Sequence, residues 1–286
     1  MEKAVLKTLI YADIFDYPLK INEIHKWLVG KKSTLRQVDR TVKKLNLESR
    51  IGNFGDYYFL KERKQLVRKR LYRVNQSVIY FKKAKILSQI LKIIPWIKLV
   101  GISGGLSMEN ASKKDDIDLF IILGKNRLWI SRLFILGLLS LAGQRRTRVG
   151  KIAGKLCVNI LLEEDKLEQV NKDIFISHEV LQMKVLWQRD GMYSNYLEDN
   201  SWAFKFLPNW ITNESFKNHK SYIVNHKSPL DYIENLAKWF QLKIMQKPRG
   251  LERIEDGALY FHPKDLRQEV LTRYKKRITK LKSIAN

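Results

Sequence analysis

The chain has 286 residues, with 54 Lys and Arg against 29 Asp and Glu, and a formal charge of +25. A charge that large favours polyanionic partners such as nucleic acid or nucleotides. The single Cys157 excludes an intrachain disulfide framework and a cysteine zinc cluster, and an apolar content of 45% suits a folded chain.

No N-terminal signal peptide is visible, because Lys3 and Lys7 interrupt an amphipathic helical pattern. The most apolar stretch, 128–143, carries Arg132 and is shorter than the roughly 20 residues a bilayer span needs. A cytoplasmic protein with no membrane partner is the expectation.

In chain order, Val5, Leu6, Leu9, Ile10 and Ile14 recur at helical spacing and predict a first helix that stops before Pro18. Residues 22–29 predict a second helix ended by Gly30, and Thr34 with Gln37 fits a capping box that starts a third. The third helix has an apolar face of Leu35, Val38, Val42 and Leu45 and a basic stripe of Arg36, Arg40, Lys43 and Lys44. Residues 50–60 then read as a hairpin turning at 53–56. Three helices and a hairpin in this order resemble a winged helix-turn-helix. That resemblance implies a recognition helix whose basic stripe, Arg36, Arg40, Lys43 and Lys44, faces nucleic-acid phosphates. Residues 61–94 predict a long basic helix, and residues 1–95 together hold 22 Lys and Arg against 8 Asp and Glu. The positive charge is therefore clustered rather than uniform.

Residues 99–123 carry the chemistry. An apolar run, 99–102, predicts a strand; Ser103, Gly104 and Gly105 break it; a polar spacer follows; and a second apolar run begins at Ile117 between Asp116 and Asp118. Strand side chains alternate faces, so both carboxylates project the same way at a strand end, beside a turn with accessible backbone N–H groups. Paired carboxylates can hold Mg²⁺, and such N–H groups can cradle phosphate. Asp115, beside Lys113 and Lys114, reads as a solvated turn residue.

Strand, Gly turn, spacer and Asp-x-Asp on the next strand resemble the signature of the polymerase-β-like nucleotidyltransferases, over roughly residues 95–165. The family usually has Ser where this chain has Gly105. The resemblance implies a nucleotidyltransferase-type mixed sheet. It also implies transfer of a nucleoside monophosphate from a nucleoside triphosphate to a hydroxyl, with Asp116 and Asp118 catalytic and holding Mg²⁺. Ser103, Gly104, Gly105 and Ser107 would seat the phosphates. The strand 156–162 is where the family carries a third carboxylate; this chain has Asn159 there, assigned to the metal on that ground, and Cys157 reads as a small buried residue. Glu179 is the candidate for an acid arriving from elsewhere, although His178-Glu179 also reads as a capping or surface pair.

The expected architecture is α+β: a winged-helix-like domain (1–60), a basic helical connector (61–95), a nucleotidyltransferase core (96–168) and a helical C-terminal region (169–286). Charge favours RNA as the hydroxyl acceptor, with DNA the alternative nucleic-acid partner. Asn159 and Gly105 also admit a non-catalytic nucleotide- or nucleic-acid-binding regulator built on the same fold.

Overall fold

The computed structural model describes residues 1–147, 150, 152–210, 228–245, 251–262 and 266–284. The first six elements are α1 (Glu2–Ile14), β1 (Leu19–Lys20), α2 (Ile21–Lys26), α3 (Leu35–Leu47), β2 (Ile51–Phe54) and β3 (Tyr57–Leu60). The strands form a three-stranded antiparallel sheet in the order β1-β3-β2. Thr34 and Gln37 make the reciprocal capping box at the start of α3. Val38, Val42 and Leu45 of α3 bury against Val5, Leu6 and Leu9 of α1 and against Ile24 and Leu28.

The long helix α4 (Gln65–Ile90) leads into a second sheet. Its strands are β4 (Ile97–Ile102), β5 (Ile117–Leu123), β6 (Leu156–Glu163), β7 (Lys184–Gln188), β8 (Leu251–Glu255) and β9 (Ala258–His262). Their spatial order is β7-β4-β5-β6-β9-β8. The β5–β6 pair is parallel and the other neighbouring pairs are antiparallel, so the sheet is mixed and the fold is α+β. The helices in this part are α5 (Gly104–Ser107), α6 (Leu128–Leu141), α7 (Ile174–Gln182), α8 (Met192–Asp199), α9 (Pro229–Met245) and α10 (Leu266–Ile284).

Both faces of the sheet are covered, which is why its central strands read as continuous apolar runs. Phe120, Ile122, Ile160 and Leu162 face α1, α7, α8 and α10. Leu119, Ile121, Val158 and Leu161 face the opposite way, toward α4, α6 and α9. The most apolar sequence stretch is thus a helix packed on a sheet, and among the described residues no helix is long and apolar enough to cross a membrane.

The region after residue 169 is not the purely helical one that the sequence predicts. It supplies β7, which pairs with β4 at one side of the sheet, and the β8–β9 hairpin, which pairs with β6 at the other. The expected helical region breaks after α7, where Trp187 buries beside β4 and its indole donates to the Ser88 carbonyl (2.8 Å). The hairpin turns at Asp256-Gly257, a dipeptide suited to tight antiparallel turns, with Gly257 at φ +73°.

Helix α9 docks through polar groups. The Trp129 and Ile130 amides at the start of α6 donate to the two Glu234 carboxylate oxygens (2.7 and 2.9 Å). Gln241 donates to the Trp129 carbonyl (2.8 Å) and accepts from Arg132 (2.6 Å). Glu234 is buried, so removing it leaves two first-turn N–H groups without acceptors. Glu234→Ala is expected to lower stability by about 1–3 kcal/mol in urea unfolding. An unchanged midpoint would show that α9 is not anchored there.

Candidate active site

The end of β4 and the start of β5 are held together by the ladder itself. The Ser103 amide donates to the Asp118 carbonyl at 3.0 Å, and the chain then reverses at Gly104, whose φ is +63°. A Cβ on Gly104 would stand 2.9 Å from Asp118 Oδ2. Glycine is therefore required there twice, by the backbone conformation and by the carboxylate pressed against it. Gly105 is different: a Cβ would meet only the Asn110 carbonyl, at 3.6 Å, which is ordinary contact. The absence of the Ser expected at 105 is a choice of side chain and not a steric necessity.

The spacer folds back on itself. Asp115 accepts from the Ser112 amide (2.8 Å) and hydroxyl (2.7 Å), so this exposed acid closes the loop and takes no part in the site. Asp116 and Asp118 flank the first residue of β5, and Asp118 lies beside Cys157 in the parallel register with β6. One ligand atom from each of Asp116, Asp118 and Cys157 falls within 4.8 Å of the other two. The Arg146 guanidinium reaches the same place, pairing with Asp116 (2.8 Å) and approaching the Cys157 sulfur (3.7 Å).

Asn159 marks a break in the β5–β6 register: Leu119 pairs with Val158, but Phe120 pairs with Ile160. This extra residue lets Cys157, Asn159, Ile160 and Leu162 share the face of Asp118, while Val158 and Leu161 face the other side. Asn159 is buried and lines the cavity.

That cavity encloses about 720 Å³ between the sheet, α1 and α7. Ser103, Gly104, Gly105, Asp116 and Asp118 line it together, as the sequence reading expected. Ser103 is 2% exposed and its hydroxyl has no partner among the described residues. Ser107 does not join them. It is buried, and its hydroxyl donates to the Gly104 carbonyl at 2.7 Å, so it braces the turn from behind.

Glu179 projects from α7 into the same cavity, with Gln182 donating to it at 2.5 Å. Burial pushes its carboxyl up to about 7. Asp118 is also raised to about 7, first by burial, then by the negative charges of Asp116 and Glu179, against the pull of Arg146. Burial, with Asp118 and Asp116 nearby, pushes the Cys157 thiol up to about 12. His178 is not a surface or capping residue. It is buried and stacked on Tyr11 (4.1 Å between ring centroids) and beside Trp27 (5.1 Å), and burial lowers its pKa to about 3. The helix cap here is Asp173, which accepts from the Phe175 and Ile176 amides (2.9 and 3.0 Å). Glu163 is also a capping acid, accepting from the Arg127 and Leu128 amides at the start of α6.

The basic stripe of α3 lies away from this cavity. Arg36, Arg40, Lys43 and Lys44 are all exposed, but Lys43 pairs with Asp39 and Lys44 with Glu2 (both 2.8 Å). Arg36 and Arg40 make no ion pair among the described residues. His262 lies at the end of β9, and its side chain falls outside the described residues.

From the sequence, Cys157 reads only as a small buried residue, and Arg146 only as one cation of a basic, Gly-punctuated loop able to reach a triphosphate or a nucleic-acid backbone. The alternation that placed Asp116 and Asp118 on one face puts Cys157 and Asn159 on one face of β6, so the thiol was within reach of the same argument. The Arg146–Asp116 pair joins residues 30 positions apart through an irregular loop, and no local pattern announces it. No family model matches this chain, and no curated protein matches it either.

Gly104→Ala is expected to lose about 1–3 kcal/mol from the positive φ and the contact with Asp118, whereas Gly105→Ser stays within about 0.5 kcal/mol of wild type. Urea unfolding of the pair tests this, and equal losses would sink the distinction.

A second prediction concerns pH. In the folded chain Asp118 and Glu179 keep their protons up to about pH 7, but unfolded they release them near 3.8 and 4.5. The folded state binds more protons in that window, so these groups stabilise it below about pH 4 and lose that contribution as pH rises to about 7. His178 acts oppositely between about 3 and 6.5, because only the unfolded chain takes up its proton there. The stability of wild type relative to Asp118→Asn or Glu179→Gln should therefore fall between about pH 4.5 and pH 7.5. A pH-independent gap in denaturation midpoints would contradict it.

Proposed function

We propose that this chain is a nucleotidyltransferase that moves a nucleoside monophosphate from a nucleoside triphosphate to a hydroxyl acceptor. The observation that carries the reading is the seating of the Ser103–Gly105 turn against Asp118, at the mouth of a cavity that also takes Asp116 and Glu179. Strand, glycine turn, spacer and Asp-x-Asp then form one compact unit with a parallel strand beside it.

Two carboxylates within 4.8 Å of each other fit a divalent cation such as Mg²⁺, which completes its shell with water and phosphate oxygens. Bound there, the ion would neutralise charge developing on the phosphates. The rest falls to the chain's own groups. The unpartnered Ser103 hydroxyl and the Gly104 and Gly105 backbone can orient the triphosphate. Arg146, Arg253 and Arg267 line the cavity and set positive charge around it. Glu179, with a pKa near 7, is matched to receiving a proton at neutral pH. In the step itself the acceptor oxygen bonds to the α-phosphorus, the bond from that phosphorus to the bridging oxygen breaks, and pyrophosphate leaves. The hydroxyl proton passes to Glu179. Asn159, an amide, cannot take that role.

The order of α1 to β3 supports a winged-helix reading of the N-terminal unit, with Arg36 and Arg40 the cations best placed for nucleic-acid phosphates. With the net charge of +25, this makes RNA the favoured acceptor, in a cytoplasmic setting where triphosphates are at hand. One observation favours a non-catalytic regulator instead: the Arg146 guanidinium pairs with Asp116 at 2.8 Å and so competes for one of the carboxylates a metal would need.

The test is incubation with each labelled nucleoside triphosphate, Mg²⁺ and total RNA. Transfer of label, reduced about 100-fold or more in Asp116→Ala and Asp118→Ala, is the expected result. Nucleotide binding without transfer, unchanged in both variants, would overturn the enzyme in favour of the regulator.

A further inference from the structure

We propose that Cys157 completes Asp116 and Asp118 into a three-donor site for a thiophilic divalent cation of the zinc class, in preference to Mg²⁺. This rests on reading the two aspartates as cation ligands, and it names the cation.

The geometry comes from the β5–β6 pairing. Parallel register sets Cys157 beside Asp118, and alternation on β6 turns the thiol to the face that carries both carboxylates. The three ligand atoms lie within 4.8 Å of one another, close enough to share one ion. One further observation points to a ligand at this spot. Ser103, 2% exposed, lines the same cavity with its hydroxyl unpartnered.

The chemistry of the donors selects the ion. Mg²⁺ demands an octahedron of oxygens and gains little from sulfur. Zinc-class ions accept carboxylate and thiolate together, and their catalytic sites hold three protein ligands with a further position left open. Here all three donors line the cavity, so a further ligand such as a phosphate oxygen would reach the ion from it. On binding, the Cys157–proton bond breaks, the proton leaves to solvent and the sulfur–metal bond forms. Two carboxylates and a thiolate then balance a divalent ion together with the Arg146 charge.

Cobalt(II) is the probe, because it reports its donors by absorption and substitutes for zinc. The chain has one cysteine, so a thiolate-to-cobalt charge-transfer band can come only from Cys157. The expected result is one bound cobalt per chain, with that band in the near ultraviolet and resistance to a roughly 100-fold excess of Mg²⁺. Cys157→Ser should abolish the band and weaken cobalt binding by about tenfold or more, by equilibrium dialysis. The wild-type spectrum decides the matter even where the variant folds poorly. Bound cobalt without the band would overturn the sulfur donor while leaving the aspartates as ligands. No bound cobalt by dialysis would overturn the site, and the Mg²⁺-dependent transfer assay then judges the enzymatic reading separately.

Discussion

The carboxylate of Asp118 stands where a side chain on residue 104 would be. A Cβ there would come within 2.9 Å of its oxygen, so the turn after β4 and the acid on β5 fix each other's positions. Everything at the site is placed by that contact. The turn can approach so closely only because Gly104 adopts a positive φ, and Asp118 can stay only because the Ser103 amide holds its backbone in the ladder. The parallel strand β6 then brings Cys157 and Asn159 to the same face, and α7 brings Glu179 over it. Antiparallel pairing on one side of β5 and parallel pairing on the other set the Ser103–Gly105 turn and Cys157 on either side of its paired acids.

Burial gives the acids their character. Crowded into a cavity roofed by aromatic rings, Asp118 and Glu179 both hold protons far above their usual range. Such a pair is costly to keep unless a cation shares the space. Arg146 supplies part of that compensation by pairing with Asp116. The stacked His178 contributes none, since burial between rings keeps it neutral. On the function proposed above, a divalent ion and a triphosphate would bring opposite charges to this cleft, and these residues would meet both.

Much of this was readable before any coordinates. The β4 turn, the paired acids, the capping box at Thr34 and the hairpin after α3 all follow from short-range rules that the folded chain obeys. What escaped the sequence was long-range. The strand β7 looks like a continuation of α7, because its Val185, Leu186 and Trp187 suit either element until β4 is there to pair with. The β8–β9 hairpin carried its own signal in Asp256-Gly257, but its place beside β6 depends on the whole sheet. Ser107 seemed near enough to the turn to reach a phosphate, yet one helical turn carries its hydroxyl back onto the Gly104 carbonyl. The lack of an acid within β6 points to Glu179, and only the packing of α7 over the sheet places it beside Asp118.

Helix α1 belongs to two interiors at once. Its Val5, Leu6 and Leu9 pack within the N-terminal unit, while Ile10, Tyr11 and Ile14 pack against the large sheet. At its end the buried Asp13 is gripped by Arg63 and by Arg277 of the last helix, so the two extremities of the chain meet on one carboxylate. Tyr11 of this helix and Phe15 just beyond its end line the cavity. The N-terminal unit is thus a wall of the cavity as well as a separate head. Because one helix serves both interiors, any shift of this unit against the large sheet would also change the width of the cavity.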